Sequence, residues 1–404
     1  MASAGDRSTR AFLLRCTLYA FVLLSGCMQV AVVPLLPAYG HRFGLSGVEQ
    51  GMLLACTGVA TLGVALPSGA LSDRLGARRV TLWAGALMAA AALLEAVAPS
   101  FGVLLLSRLL FGAGYGVTWT SGLSWLSEIS PSRSSIGGSV TSGGIGSVAG
   151  PALFGYLAQY LGLSIPFLGA AVAFVVVTAG LALGRPAQGE AASSSPIGAG
   201  LLVAMSDRCT ISAAAAIVVA GITSGVAYLL VPEELHAAGS SSGAIGLAFS
   251  AAGVLFVAAS VITASTGRRA VRLAVAVGGM LVLALAMSPA VASTASLAVV
   301  GMLCATAGAR AVVWTVAYPL GAVGAERSGA GIGLVMGLLN GVWAVVAVVS
   351  PLLAGVVAEH AGDRTAFALA EVVSIGIALA TAMFAVRSRH SLAFSSLQNS
   401  CEAS

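Results

Sequence analysis

The stretch Gly69-Ala-Leu-Ser-Asp-Arg-Leu-Gly-Ala-Arg-Arg79 sets three arginines, an aspartate and two glycines between long apolar runs. A polar knot of this kind marks where two spans of a polytopic membrane protein meet at the membrane surface. The composition agrees: of 404 residues 58% are hydrophobic and 8% charged, and the mean hydropathy is +1.00. A soluble domain averages about a quarter charged residues, so the chain reads as an integral membrane protein. A span takes about 20 apolar residues, which leaves room for about a dozen.

Several chemistries are excluded by residue type. All 19 basic residues are arginine, and the phosphate-binding loop of ATPases needs a lysine. The histidines His41, His236, His360 and His390 fall at the ends of apolar runs, which leaves a zinc or serine-histidine centre within the bilayer unsupported. The six cysteines have no CxxC spacing, so neither a metal site nor a disulfide framework is expected. No cofactor and no enzymatic activity are expected. The arginines are spread loop by loop, which points to topology and away from nucleic acid.

The apolar runs place spans near 11–39, 47–71, 80–98, 101–127, 136–160 and 163–184, and again near 209–235, 243–266, 271–288, 293–322, 330–358 and 365–386. This gives an N-terminal six-helix bundle over 1–184, a polar linker over 185–208, a C-terminal six-helix bundle over 209–386 and a disordered cytoplasmic tail over 387–404. With the N-terminus inside, fifteen arginines lie on the cytoplasmic face and only Arg42 and Arg364 lie outside; Arg108 and Arg310 fall within spans. That bias puts both termini in the cytoplasm; a multi-pass protein of a cell membrane, a bacterial inner membrane, is the expectation.

The halves repeat. Pro37, Gly44 and Gly51 match Pro232, Gly239 and Gly246 at an offset of 195, while Pro151, Gly155 and Gly162 match Pro351, Gly355 and Gly362 at an offset of 200. Val117-Thr-Trp-Thr120 likewise matches Val312-Val-Trp-Thr315. A parallel 6+6 duplication is a known transporter plan.

The order Gly69, Asp73, Arg74, Gly76, Arg78, Arg79 between spans 2 and 3 resembles the signature loop of the major facilitator superfamily. On physical grounds Gly69 would let span 2 approach a neighbour. Asp73 would cap span 3 or pair with an arginine, Gly76 would turn the chain, and Arg78 and Arg79 would meet head groups. The resemblance implies a 12-helix, all-α membrane fold of two bundles related by pseudo-two-fold symmetry, and a gating charge relay through Asp73 and Arg74 that Glu128 and Arg133 would complete. Ala77 is either inserted before the arginine pair or stands where the family often has a basic residue, and the second-half loop Gly267-Arg-Arg269 lacks the Asp-Arg pair, so one relay is expected.

Arg108-Leu-Leu-Phe-Gly112-Ala-Gly114 in span 4 resembles the family's second motif, with Phe111 where the family tends to have a polar residue. An arginine at mid-depth costs about 2.5–3.5 kcal/mol on insertion scales; a cavity-facing residue that handles proton or substrate is the expectation, with a buried arginine satisfied by carbonyls in a packed helix as the alternative. In span 5, Gly146, Gly150, Pro151 and Gly155 resemble the glycine-proline motif of the drug/proton antiporter branch, with tight helix packing as the alternative. Spans 1, 4, 7 and 10 line the cavity in the family, so Gln29, Arg108, Tyr115, Trp119, Arg310 and Trp314 are the cavity candidates, with a lipid-facing or packing role as the alternative for Trp119 and Trp314. Two arginines and no mid-depth carboxylate in those spans favour an anionic or neutral substrate. Glu95 and Glu371 fall in peripheral spans and read as structural.

The resulting expectation is a monomeric secondary transporter exporting a small organic molecule in exchange for protons by alternating access. The alternatives are an organic-anion symporter or facilitator, and a receptor or scaffold of the same fold.

Overall fold

The computed structural model describes residues 4–129, 133–183, 205, 207–269, 271–293 and 295–402, and among them all regular structure is helical. Among the described residues, eleven helices are long and apolar enough to cross a membrane. Span 1 is Phe12–Phe43, span 2 Gly47–Leu75, span 3 Ala77–Val97, span 4 Phe101–Ile129 and span 6 Ser164–Leu183. Span 7 is Arg208–Ala237, span 8 Ser242–Ser265, span 9 Leu273–Ala292, span 10 Ser296–Ser328, span 11 Ile332–Ala361, and span 12 begins at Asp363. The remaining expected span, span 5, is the 29-residue helix Arg133–Leu161, whose glycines and serines lower its hydropathy but whose length suffices to cross. The last helix continues from Asp363 to Glu402. This corrects the disordered tail expected after residue 386: arginines and serines lower hydropathy there without breaking a helix. The linker expected over 185–208 lies outside the described residues except at 205, 207 and 208.

Span ends are written in local chemistry. Ser46 and Glu49 form a reciprocal capping box at the start of span 2, with Glu49 N donating to Ser46 Oγ at 3.2 Å and Ser46 N to Glu49 Oε2 at 2.9 Å. Asp207 Oδ1 accepts from the amide of Cys209 at 2.7 Å at the start of span 7. Gly44 and Gly239, repeat counterparts at the ends of spans 1 and 7, take φ of 65° and 87°, a region that favours glycine. Span 1 is interrupted: its helix stops at Val30, a short 3-10 turn spans Val33–Leu35, and the helix resumes over Leu36–Phe43. Pro34 and Pro37 have no amide hydrogen to continue the ladder, which explains the break.

The chain falls into two compact units. The first is Met1–Ser193 with Tyr228–Gly253 and Pro351–Glu359; the second is Ser194–Ala227 with Val254–Ser350 and His360–Ser404. The second has a core of Ile217, Met280, Leu283, Val313, Val316 and Ala378, drawn from spans 7, 9, 10 and 12.

Within the first unit the repeated residues meet each other. Gly51 of span 2 lies under the Pro351 carbonyl of span 11, so close that a Cβ would stand 2.6 Å from the oxygen, and Gly355 lies 2.5 Å, on the same measure, from the Gly47 carbonyl. The counterparts do the same: Gly246 of span 8 lies against the Pro151 carbonyl of span 5, and Gly155 against that of Ser242. The correspondence extends to side chains. Val48 N donates to Glu359 Oε1 at 2.8 Å, and Gly243 N to Gln159 Oε1 at 3.2 Å. Val48 and Gly243 are 195 residues apart, Gln159 and Glu359 200 apart. Each pair satisfies one of the orphan amides that open a helix. His41 and His236, also 195 apart, meet edge to face with ring centroids 5.4 Å apart.

Candidate functional site

The loop Gly69–Arg79 turns at Gly76, whose φ is 88°. Gly69 does not serve the close helix approach expected of it, because a Cβ there meets nothing within 4 Å. Gly69→Ala is therefore expected to leave stability unchanged or raise it by up to about 1 kcal/mol through helix propensity; a lower unfolding midpoint in detergent would show a contact at this glycine. Arg78, expected at the lipid head groups, instead donates to the Ala182 carbonyl in the last turn of span 6. An arginine there satisfies an orphan carbonyl and meets the negative end of the helix dipole. Arg74 and Arg79 are exposed, as is Glu128. The side chains of Asp73 and Arg133, the other members of the expected relay, lie outside the described residues.

Arg108 lies seven residues from the start of span 4, about 10 Å along the helix, nearer one end than the mid-depth expected. It is 1% exposed. Its Nη1 donates to the Met28 carbonyl at 3.3 Å and its Nη2 to the Gln29 carbonyl at 3.2 Å. The Met28 carbonyl also accepts from the Ala31 amide at 3.4 Å, and with the Gln29 carbonyl it lies in the last turn before the break, so Arg108 caps the helix that ends at Val30. The ring of Phe111 lies 5.2 Å from the guanidinium carbon. Glu95, from the last turn of span 3, brings Oε2 to 3.8 Å from Nη1, with both side chains fully enclosed. The expected cavity-facing cation is thus an enclosed one, met by a carboxylate that sequence reading assigned a structural role. No local signal pairs Glu95 with Arg108; the short turn between spans 3 and 4 brings them together.

Farther along span 4 the helix widens into a π turn over Thr118–Gly122, a local irregularity often found at functional sites. Phe111, Tyr115 and Trp119 form a ladder at four-residue spacing, with ring centroids 5.8 and 6.1 Å apart. Trp119 lies against Gly143 of span 5. Trp119 Nε1 and Gln29 Oε1 are buried without a hydrogen-bond partner.

Span 5 uses two faces. Gly146 and Gly150 press on the backbone of span 1 at Leu23 and Cys27, where a Cβ at Gly150 would stand 2.6 Å from the Cys27 carbonyl oxygen. Pro151 and Gly155 face span 8, as described above. Gly112 of span 4 makes the same kind of approach to span 2, its Cβ position 2.5 Å from the Thr57 carbonyl oxygen.

In the second unit Arg310 Nη1 donates to Ser224 Oγ of span 7 at 2.7 Å, and its guanidinium lies 5.6 Å from the Phe256 ring. Trp314 stacks on Tyr318 at 5.3 Å and meets Trp343 edge to face at 4.8 Å, while Tyr318 donates to Asn340 Oδ1 at 2.8 Å. Gln29, Arg108, Tyr115 and Trp119 thus belong to the first unit, Arg310 and Trp314 to the second. Among the described residues no cluster of three or more histidine, cysteine or acidic side chains could hold a metal ion.

Comparison with known proteins agrees with this architecture. The Quinolone resistance protein NorA of Staphylococcus aureus is 28% identical over 131 residues, 32% of this chain and 34% of that protein. An uncharacterized MFS-type transporter of Mycobacterium tuberculosis is 30% identical over 176 residues, 41% of this chain and 25% of that protein. The match thus spans about a third or less of these relatives' lengths. A solved bacterial homolog of the human lysosomal transporter Spinster, inward-facing and occupied, superposes with a TM-score of 0.72 at 17% identity, covering 96% of this chain and 98% of that one. The unoccupied form gives 0.70 at 14% identity, covering 95% and 97%. These likenesses show the fold. The model of the Major Facilitator Superfamily matches residues 18–336, more than three quarters of the chain, and the protein belongs to that superfamily.

Proposed function

We propose that the protein is a secondary transporter that exports a small organic molecule, anionic or neutral, in exchange for protons by alternating access. The observation that carries this reading is the stretch Gly146–Gly155, which resembles the antiporter motif and seats span 5 on the backbones of spans 1 and 8. The quinolone-resistance name of the staphylococcal relative supports export. Arg310, hydrogen-bonded to Ser224 and half-buried in span 10, supports a cargo that is not cationic. Arg108 adds little to that preference, because Glu95 meets its charge. The loop Gly69–Arg79 is the inner gate in this reading, with Asp73, Arg74, Glu128 and Arg133 as its relay. The two six-span bundles joined through 185–208, the cytoplasmic termini and a monomer in a bacterial inner membrane belong to the same proposal.

Inside-out vesicles test it. With a pH gradient imposed, accumulation is measured for a panel of labelled anionic and neutral metabolites and the quinolone norfloxacin. Gradient-dependent accumulation of a panel member supports export. Arg310 also fits organic-anion uptake or facilitated diffusion, and equilibration of an anion indifferent to the gradient would replace the first reading with that one.

A further inference from the structure

We propose that Glu95 is the carboxylate that carries the proton, and that its protonation acts on span 1 through Arg108. This rests on the proton-coupled reading above and names the group that performs it. Glu95 has no exposed side-chain surface, and neither of its oxygens accepts a hydrogen bond. Arg108 Nη1 at 3.8 Å is its cation, beyond the 2.7–2.9 Å of a charge-assisted hydrogen bond. The surroundings share this incompleteness: the Tyr39 hydroxyl, Arg108 Nε and Gln29 Oε1 are also buried without partners. Most buried polar groups in a folded protein find partners, and four side chains with partnerless atoms gathered at one ion pair call for an explanation. A network left open has room to change its protonation state and its contacts.

The charged and titratable groups facing Glu95 are Arg108 from span 4 and Tyr39 from the end of span 1; Arg42 lies within reach of Tyr39, and Cys56 of span 2 within reach of Arg108. Arg42 Nη2 is occupied by the Ala98 carbonyl at 3.1 Å. Arg108 therefore has two competing anchors, the Glu95 carboxylate and the carbonyls of Met28 and Gln29 at the break in span 1. When Glu95 takes a proton from a hydronium ion, an O–H bond of the hydronium breaks to leave water, an O–H bond forms on the carboxylate, the carboxyl becomes neutral and Arg108 stays a guanidinium. The attraction across 3.8 Å lapses, and Arg108 settles fully on the span 1 carbonyls. Release of the same proton to water on the opposite side restores the pair. Span 1 carries Gln29, so a proton at Glu95 reaches the cargo-side helix through one side chain.

Infrared difference titration of the purified full-length protein tests this without knowledge of the cargo. The wild type is expected to gain a protonated-carboxyl C=O band on acidification that Glu95→Gln lacks and Glu95→Asp retains at a displaced frequency. Arg108→Gln is expected to shift the pH at which that band appears. An unchanged difference spectrum in Glu95→Gln, or an unshifted pH in Arg108→Gln, would overturn the assignment. A wild type indifferent to the gradient in the vesicle assay defeats proton-coupled export instead, and the two failures are told apart by which assay shows them.

Discussion

Replacing Arg108 by alanine is expected to destabilise the fold by about 3–5 kcal/mol and to abolish transport. The cost comes from what stays behind. Glu95 would remain enclosed with no cation, the Gln29 carbonyl at the break in span 1 would lose its arginine donor, and the Met28 carbonyl would keep only the Ala31 amide. A buried pair is weak evidence of net stability, whereas half of one is costly. The double variant Arg108→Met with Glu95→Met should therefore recover most of the unfolding midpoint in detergent while transport stays lost. Recovery of transport along with stability would reduce the pair to a packing device. A single Arg108→Ala protein as stable as the wild type would show that the pair does not form in the membrane.

Gly150→Val ranks second, with an expected loss of about 1–3 kcal/mol and a matching fall in folded yield. The obstacle is the Cys27 carbonyl, backbone of a neighbouring helix that cannot swing aside as a side chain would. Spans 1 and 5 would have to separate along their whole seam, because Gly146 makes the same contact one turn earlier at Leu23. Thermal unfolding compared with Gly69→Ala isolates the effect, since that glycine has open space around it. Equal midpoints for the two variants would mean that spans 1 and 5 are not in backbone contact.

Much of the architecture is legible in the order of residues, because hydrophobic length and arginine placement are local properties. The span pattern is recovered, and the repeat offsets of 195 and 200 anticipate residues that meet in space. What escapes is partnership between helices. Gly69 and Gly150 look alike in sequence, yet one faces open space and the other a backbone carbonyl. Glu95 looks peripheral until the turn after Val97 folds span 4 back on span 3 and sets Arg108 beside it. Span 1 gives warning of its break through Pro34 and Pro37, but not of the arginine that fills it. Ser224 and Asn340 carry no motif; they are identified only by what Arg310 and Tyr318 reach.

The reciprocal contacts of spans 2, 5, 8 and 11 have the form of an isologous interface, in which residue i touches j and the copy of j touches the copy of i. Gly51 with Pro351 and Gly246 with Pro151 are one contact seen twice, as are Val48 with Glu359 and Gly243 with Gln159. A six-span ancestor that paired with itself would have made this interface as a homodimer, and fusion of its two copies would leave it inside one chain. The two sides now differ: Gln159 is neutral where Glu359 is acidic, and Ser242 stands where Gly47 has no side chain. The interface thus keeps the geometry of a dimer while its two copies differ in charge, with a carboxylate on one side where the other has an amide.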